Sequence, residues 1–139
     1  MLAQFMLCTL LATAAADGTP VHPVSVERFE LIAIEKTIVE QTNAQRARHG
    51  LPALEVDVDL MKGARRHTIW MARNRLLQHS QGVAENIAMG YPTTDSAMSG
   101  WMNSSGHRAN ILNRSFRRIG VVAYQSAGGT IYWCQQFRW

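Results

Sequence analysis

Between residues 26 and 49 the chain has neither proline nor glycine, and apolar residues recur at Phe29, Leu31, Ile32, Ile34, Ile38 and Val39. That spacing predicts one long amphipathic helix. It closes on a basic turn of Arg46, Arg48 and His49, and Gly50 and Pro52 stop it. Residues 51–54 read as a turn. Asp57 or Asp59 then caps a second helix, from Leu60 to about Leu77, with Leu60, Ala64, Thr68, Met71 and Arg75 along one stripe. A loop carries His79-Ser80-Gln81-Gly82, and Glu85-Asn86-Ile87-Ala88 follows it. Thr93-Thr94-Asp95 caps a third helix whose Ala97, Met98, Trp101 and Met102 mark the buried face, and residues 107–112 add one or two turns. Two apolar runs close the chain, 117–124 and 130–137, with Gly128-Gly129 between them as a hairpin turn. Helices first and strands last predict an α+β fold, with helices packed on a small antiparallel sheet.

Composition narrows this only slightly. At 139 residues, 47% hydrophobic and 17% charged, the chain suits one globular domain and excludes a disordered or collagen-like polymer. No repeat or low-complexity tract interrupts it. Fourteen Lys and Arg against ten Asp and Glu give a formal charge of +4, and only Lys36 and Lys62 among the basic residues are lysine. This is a mild bias towards arginine, suited to fixed hydrogen-bonded pairs. It lacks the dense basic footprint of a nucleic-acid binder, so no nucleic-acid partner is expected.

The first residues bear on compartment. Residues 1–16 are an apolar run ending in Ala14-Ala15-Ala16, a small-residue triplet of the kind a signal peptidase accepts, and Asp17-Gly18 turns polar. The run is too short to span a bilayer, which takes about 20 residues. No Lys or Arg precedes it, so a buried first helix is the competing reading. The expectation is a signal peptide over 1–16, an extended leader over 17–25 and one domain over 26–139, secreted or periplasmic, without a membrane span and monomeric. Cleavage after Ala16 leaves Cys134 as the single cysteine, which precludes an intrachain disulfide, and its apolar surroundings mark it as a small buried hydrophobe.

Three side chains of metal-ligand or acid–base type stand in polar segments: His79, Glu85 and His107. Two neutral imidazoles and a carboxylate make a sufficient zinc set with an open fourth position. Yet 28 positions separate the histidines, and no i, i+4 spacing places two on one helical face. His67 falls mid-helix and reads as structural. His49 sits where a helix dipole favours a cation. No G-x-S-x-G elbow, phosphate loop or C-x-x-C pair occurs.

Read in order, an N-x-x-R helix end (Asn43, Arg46), HGLPALEVDVDL, ARRHTIWMA, His79-Ser80, AENIAMG, GWMNSSGHRANIL, RIGVVAY and YWCQQF resemble the CAP superfamily, the domain shared by cysteine-rich secretory proteins, antigen 5 and pathogenesis-related proteins. The likeness is to its compact bacterial members and covers about residues 38–137. It implies an α-β-α sandwich with a cleft lined by two histidines and two acids, able to hold a divalent metal such as zinc. Carried over, the histidines are His79 and His107, and the acid of the AEN motif is Glu85. The second acid's position holds Ser104, which has no charge with which to orient a metal-bound water. Only residues 80–84 separate His79 from Glu85, a shorter loop than in many relatives. Asn86 and Asn110 are expected to hydrogen-bond loop backbone. Trp70, Trp101, Tyr132 and Trp133 are expected in the core or cleft wall.

The resemblance leaves two readings. One is an extracellular module binding a lipid, sterol or peptide partner. The other is a metal-dependent hydrolase, a protease or esterase, with Glu85 activating water. The missing second acid favours binding, because hydrolysis needs a tuned acid–base pair beside the metal, and fold alone does not confer activity.

Overall fold

The computed structural model describes residues 32–139, and the expected leader segments lie outside those residues. The predicted first helix does not run unbroken from residue 26: Ile32, with φ −67° and ψ 155°, is the extended N-cap, and the helix starts at Ala33. Four helices and four strands follow in the order α1 (Ala33–Arg48), β1 (Glu55–Val56), α2 (Val58–Asn74), β2 (Ala84–Met89), α3 (Thr94–Asn103), α4 (Ser105–Ile111), β3 (Arg118–Gln125) and β4 (Ile131–Arg138). The strands form one sheet in the order β1-β3-β4-β2. Its three long strands are antiparallel, and the two-residue β1 adds a parallel edge through Glu55–Arg118 and Val56–Ile119.

Alternation along the strands divides the core in two. Ile119 and Val121 of β3 and Trp133 and Phe137 of β4 face α1, α3 and α4, where they meet Ile38, Met98, Trp101 and Ile111. Val122, Tyr132, Cys134 and Ile87 face the other way, onto Met61, Ala64, Met71 and Ala72 of α2. The result is an α-β-α sandwich. Cys134 is fully buried in the α2 layer, as its setting in the sequence suggests.

Of the two aspartates that could cap α2, Asp57 does so, accepting from the Asp59 and Leu60 amides at 3.0 Å each. Thr93 caps α3 through the Ser96 amide. The helix end at Arg46 is an anchor. Its guanidinium is wholly buried and donates to the carbonyls of Pro52, Ile111, Asn113 and Phe116, so one side chain fixes the α1–β1 turn and the α4–β3 connection. Asn43 reinforces that turn by pairing with both backbone groups of Leu54.

Helix α2 ends three residues earlier than its periodicity predicts. Arg75, expected on the apolar stripe, is exposed at the helix C-cap with φ 54° and ψ 39°. This left-handed conformation costs a non-glycine residue roughly 1–2 kcal/mol. Of the two places expected for Trp70, the core is excluded; it lines a surface hollow with His67, Ser80 and Gln136. It lies off the buried stripe of Leu60, Met61, Ala64, Thr68 and Met71 and is 41% exposed, stacked on His67 with ring centroids 5.7 Å apart. Trp101, Tyr132 and Trp133 are buried.

Candidate functional site

Strand β2 sets the site. Its alternation sends Glu85 to the α2 side of the sheet and Asn86 to the opposite side, and both are buried although polar. The loop after α2 turns back at Gly82 (φ 75°) into β2, so the short connection returns His79 and Ser80 to Glu85. Nδ1 of His79 lies 3.2 Å from Glu85 Oε2. The Ser80 amide donates to the same oxygen at 3.0 Å. The other oxygen, Oε1, accepts from the Ser80 hydroxyl at 2.9 Å, Gln136 Nε2 at 3.0 Å and the Cys134 thiol at 3.3 Å. Only 1% of the Glu85 side chain is exposed. Burial pushes its carboxyl up, but the donors from Gln136, Ser80 and Cys134 outweigh burial and hold it below the usual range. Glu85 is therefore an ionised, hydrogen-bonded anchor.

Because that carboxylate only accepts, Nδ1 of His79 carries the proton and Nε2 is left as the ring's basic nitrogen. More than half of the His79 side chain is exposed. A second imidazole approaches Glu85 from α2: His67 Nε2 donates to the Gln78 carbonyl at 2.6 Å and lies 3.7 Å from Glu85 Oε2.

His107 comes from the first turn of α4. Asn86 Nδ2 donates to the His107 carbonyl at 3.1 Å and to Gln135 Oε1 at 3.1 Å. Asn110 returns the link, donating to the Glu85 carbonyl at 3.2 Å and to Asn86 Oδ1 at 2.9 Å. These amides lock α4 to β2. The His79 and His107 rings then lie 6.4 Å apart, centre to centre, tilted by 48°. Burial, followed by the charge of His79, lowers the pKa of His107, so its ring is held neutral and available as a nitrogen donor at neutral pH. Ser104 is the N-cap of α4, and its hydroxyl forms no capping bond.

Of the residues singled out from the sequence, His79, Glu85, His107, Asn86 and Asn110 thus form one connected cluster. None of Ser80, Gln136, Cys134 and His67 was assigned to the site from the sequence, where His67 reads as structural and Cys134 as a buried hydrophobe, yet all four share Glu85. For Gln136 the signal lay in β4: glutamines at 135 and 136 in an otherwise apolar strand must find partners once buried, and the β2–β4 register sets Gln136 opposite Glu85 and Gln135 opposite Asn86.

The donor type and setting of the two imidazoles suit zinc, since the His79 side chain is more than half exposed while its Nδ1 meets a carboxylate. The number does not match a closed site. Glu85 is already saturated, and among the described residues no group of three or more His, Cys, Asp or Glu side chains is placed to hold a metal. With a metal–nitrogen distance of about 2 Å in tetrahedral geometry, one ion bridging both rings needs them to close by roughly 1 Å.

An α-β-α sandwich is the architecture that the resemblance implies. The chain belongs to the Cysteine-rich secretory protein family, whose CAP model matches residues 39–137. It is 40% identical over 145 aligned positions to YkwD of Bacillus subtilis, an alignment covering 91% of this chain and 53% of that protein. The chain thus spans about half the length of that relative. An extracellular protein of Bacillus anthracis containing an SCP domain superposes with a TM-score of 0.68 at 30% identity, over 75% of this chain and 39% of that one. An outer surface protein of Borrelia burgdorferi superposes with a TM-score of 0.68 at 20% identity, covering 73% and 89% of the two chains, and shows the shared fold. No helix among the described residues is long and apolar enough to cross a membrane.

Proposed function

We propose that this chain is a secreted or periplasmic binding module whose ligand meets the His79–His107 pair. The observation that carries this reading is the state of Glu85. A general base must reach the water it activates, whereas this carboxylate is shut from solvent with both oxygens committed. It is a positioning residue for His79. With Ser104 where the family's second acid stands, an acid–base pair for hydrolysis is missing. Extracytoplasmic placement is supported by the apolar 1–16 segment with its alanine triplet and by the extracellular Bacillus anthracis relative.

In the same reading, His79 and His107 would hold a divalent ion such as zinc, with an extracellular lipid, sterol or peptide completing its coordination sphere or lying beside it. The ion would supply a Lewis-acidic attachment point; the protein's part is to present two neutral imidazoles at fixed spacing. Calorimetric titration with Zn²⁺ at neutral pH is expected to show one weak site per chain, lost in His107→Ala and weakened in acid as protons compete for the ligand nitrogens. Equal zinc uptake by wild type and His107→Ala removes the metal from the proposal. Turnover of a peptide or ester panel that falls about 100-fold in Glu85→Gln with the fold retained establishes the hydrolase instead.

A further inference from the structure

The face of the sheet beneath α2 is longer than the helix that covers it. Met89, Tyr132 and Tyr124 are aligned across β2, β4 and β3 by the strand register, and alternation puts all three on the α2 side. Helix α2 stops at Asn74, and Ala72 is its last buried residue. Beyond it lies an open groove of about 770 Å³ floored by this row. Tyr132 is buried, but Met89 and Tyr124 remain 44% and 36% exposed. Two inter-strand gaps make the row about 10 Å wide, enough for a flat ring system.

The wall of the groove is cationic. Arg73 and Arg75 line it from the end of α2, and no acidic residue lines it. Neither guanidinium belongs to an ion pair among the described residues. A basic last turn suits a helix dipole, which accounts for Arg73. It does not account for the left-handed backbone of Arg75, a conformation that glycine adopts without strain. A strained residue that faces a cavity points to use of its side chain.

We propose that this groove binds an organic anion with a flat ring body, the rings lying on Tyr124 and Met89 and the anionic group pairing with Arg73 and Arg75. Guanidinium forks match carboxylate, sulfonate or phosphate oxygens, and an apolar shelf beside them selects a ligand with both parts. The site involves neither His79 nor His107 and stands independently of the role proposed for them.

The test uses 8-anilinonaphthalene-1-sulfonate, a fluorescent two-ring sulfonate, titrated into the folded chain at neutral pH. One saturable site is expected. Arg75→Gly should weaken binding about tenfold, as loss of one charge-assisted contact does, while its melting temperature holds or rises because glycine relieves the backbone. Tyr124→Ala should weaken binding too, His107→Ala should not, and the uncharged analogue N-phenyl-1-naphthylamine should bind much less tightly. Unchanged affinity in Arg75→Gly, equal binding of the uncharged dye, or loss of binding in His107→Ala overturns the proposal.

Discussion

Burying a carboxylate costs several kcal/mol unless its oxygens are met, and Glu85 is met by five donors from the loop before β2 and from β4. Its value to the fold is therefore local: it holds the His79 loop against the sheet. Glu85→Gln keeps the shape but turns one acceptor into an amide that faces existing donors. The expected loss is about 2–3 kcal/mol of unfolding free energy at pH 7, the scale of hydrogen bonds to a charged group, measured by urea denaturation. A loss below about 0.5 kcal/mol, typical of an unremarkable surface change, would show that the loop is held by something else. The sequence identified Glu85 and both histidines through the family pattern. Their spacing could not show convergence, because it depends on the β2–β4 register and on the Asn86–Asn110 bridge between distant elements.

Among the elements, legibility followed periodicity. Helices α2 and α3 and the β3–β4 hairpin were readable because their apolar positions repeat at the helical or strand period. In α1 the stop after Arg48 was legible, but its buried face sets Glu35, Thr42 and Arg46 beside Ile38 and Val39, which no apolar period reveals. Strand β2 was not: AENIAM places Glu85 and Asn86 side by side, and polar residues read as loop until partners on β4 and α4 are known. A two-residue strand such as β1 carries no period at all. The departure at Arg75 arises where an amphipathic stripe was extended past the surface that buries it. One packing constraint does sit openly in the sequence, as the glycine inside strand β3. A Cβ on Gly120 would lie 2.3 Å from the Leu60 carbonyl carbon and 2.5 Å from the Met61 nitrogen. These are backbone atoms at the start of α2, so the helix itself must move. Gly120→Ala is expected to cost about 3 kcal/mol, the upper range for overpacking, read as a lower urea midpoint. An unchanged midpoint would mean that α2 shifts freely on the sheet.

Joining these layers through buried ionisable groups makes the molecule as a whole acid-sensitive, in two steps with different owners. His107 titrates lower in the folded chain because of burial and His79. The unfolded chain therefore takes up its proton first, near pH 6.5, and stability falls as pH drops from there towards the folded value. The carboxyls of Glu85 and Asp57 are also held low. In each, burial pushes upward but is outweighed by hydrogen bonds, from Gln136, Ser80 and Cys134 in one case and from Leu60 and Arg138 in the other. Their contribution is complete above the unfolded values of about 4 and disappears as pH falls through the lower folded values. Glu35 acts in the opposite sense. Burial raises its pKa against the pull of Arg65 and the Ile32 amide, so protonation there favours the folded chain and partly offsets His107 as pH approaches 4.3. Urea midpoints measured with chelator present, to exclude metal, should thus decline gently from pH 7 to 5 and steeply below about 4. His107→Gln should flatten the first decline, and Glu85→Gln should shrink the second, its deficit at pH 7 closing as wild-type Glu85 protonates. A wild-type midpoint constant from pH 7 to 3 would contradict the electrostatic account of both the imidazole pair and its anchor.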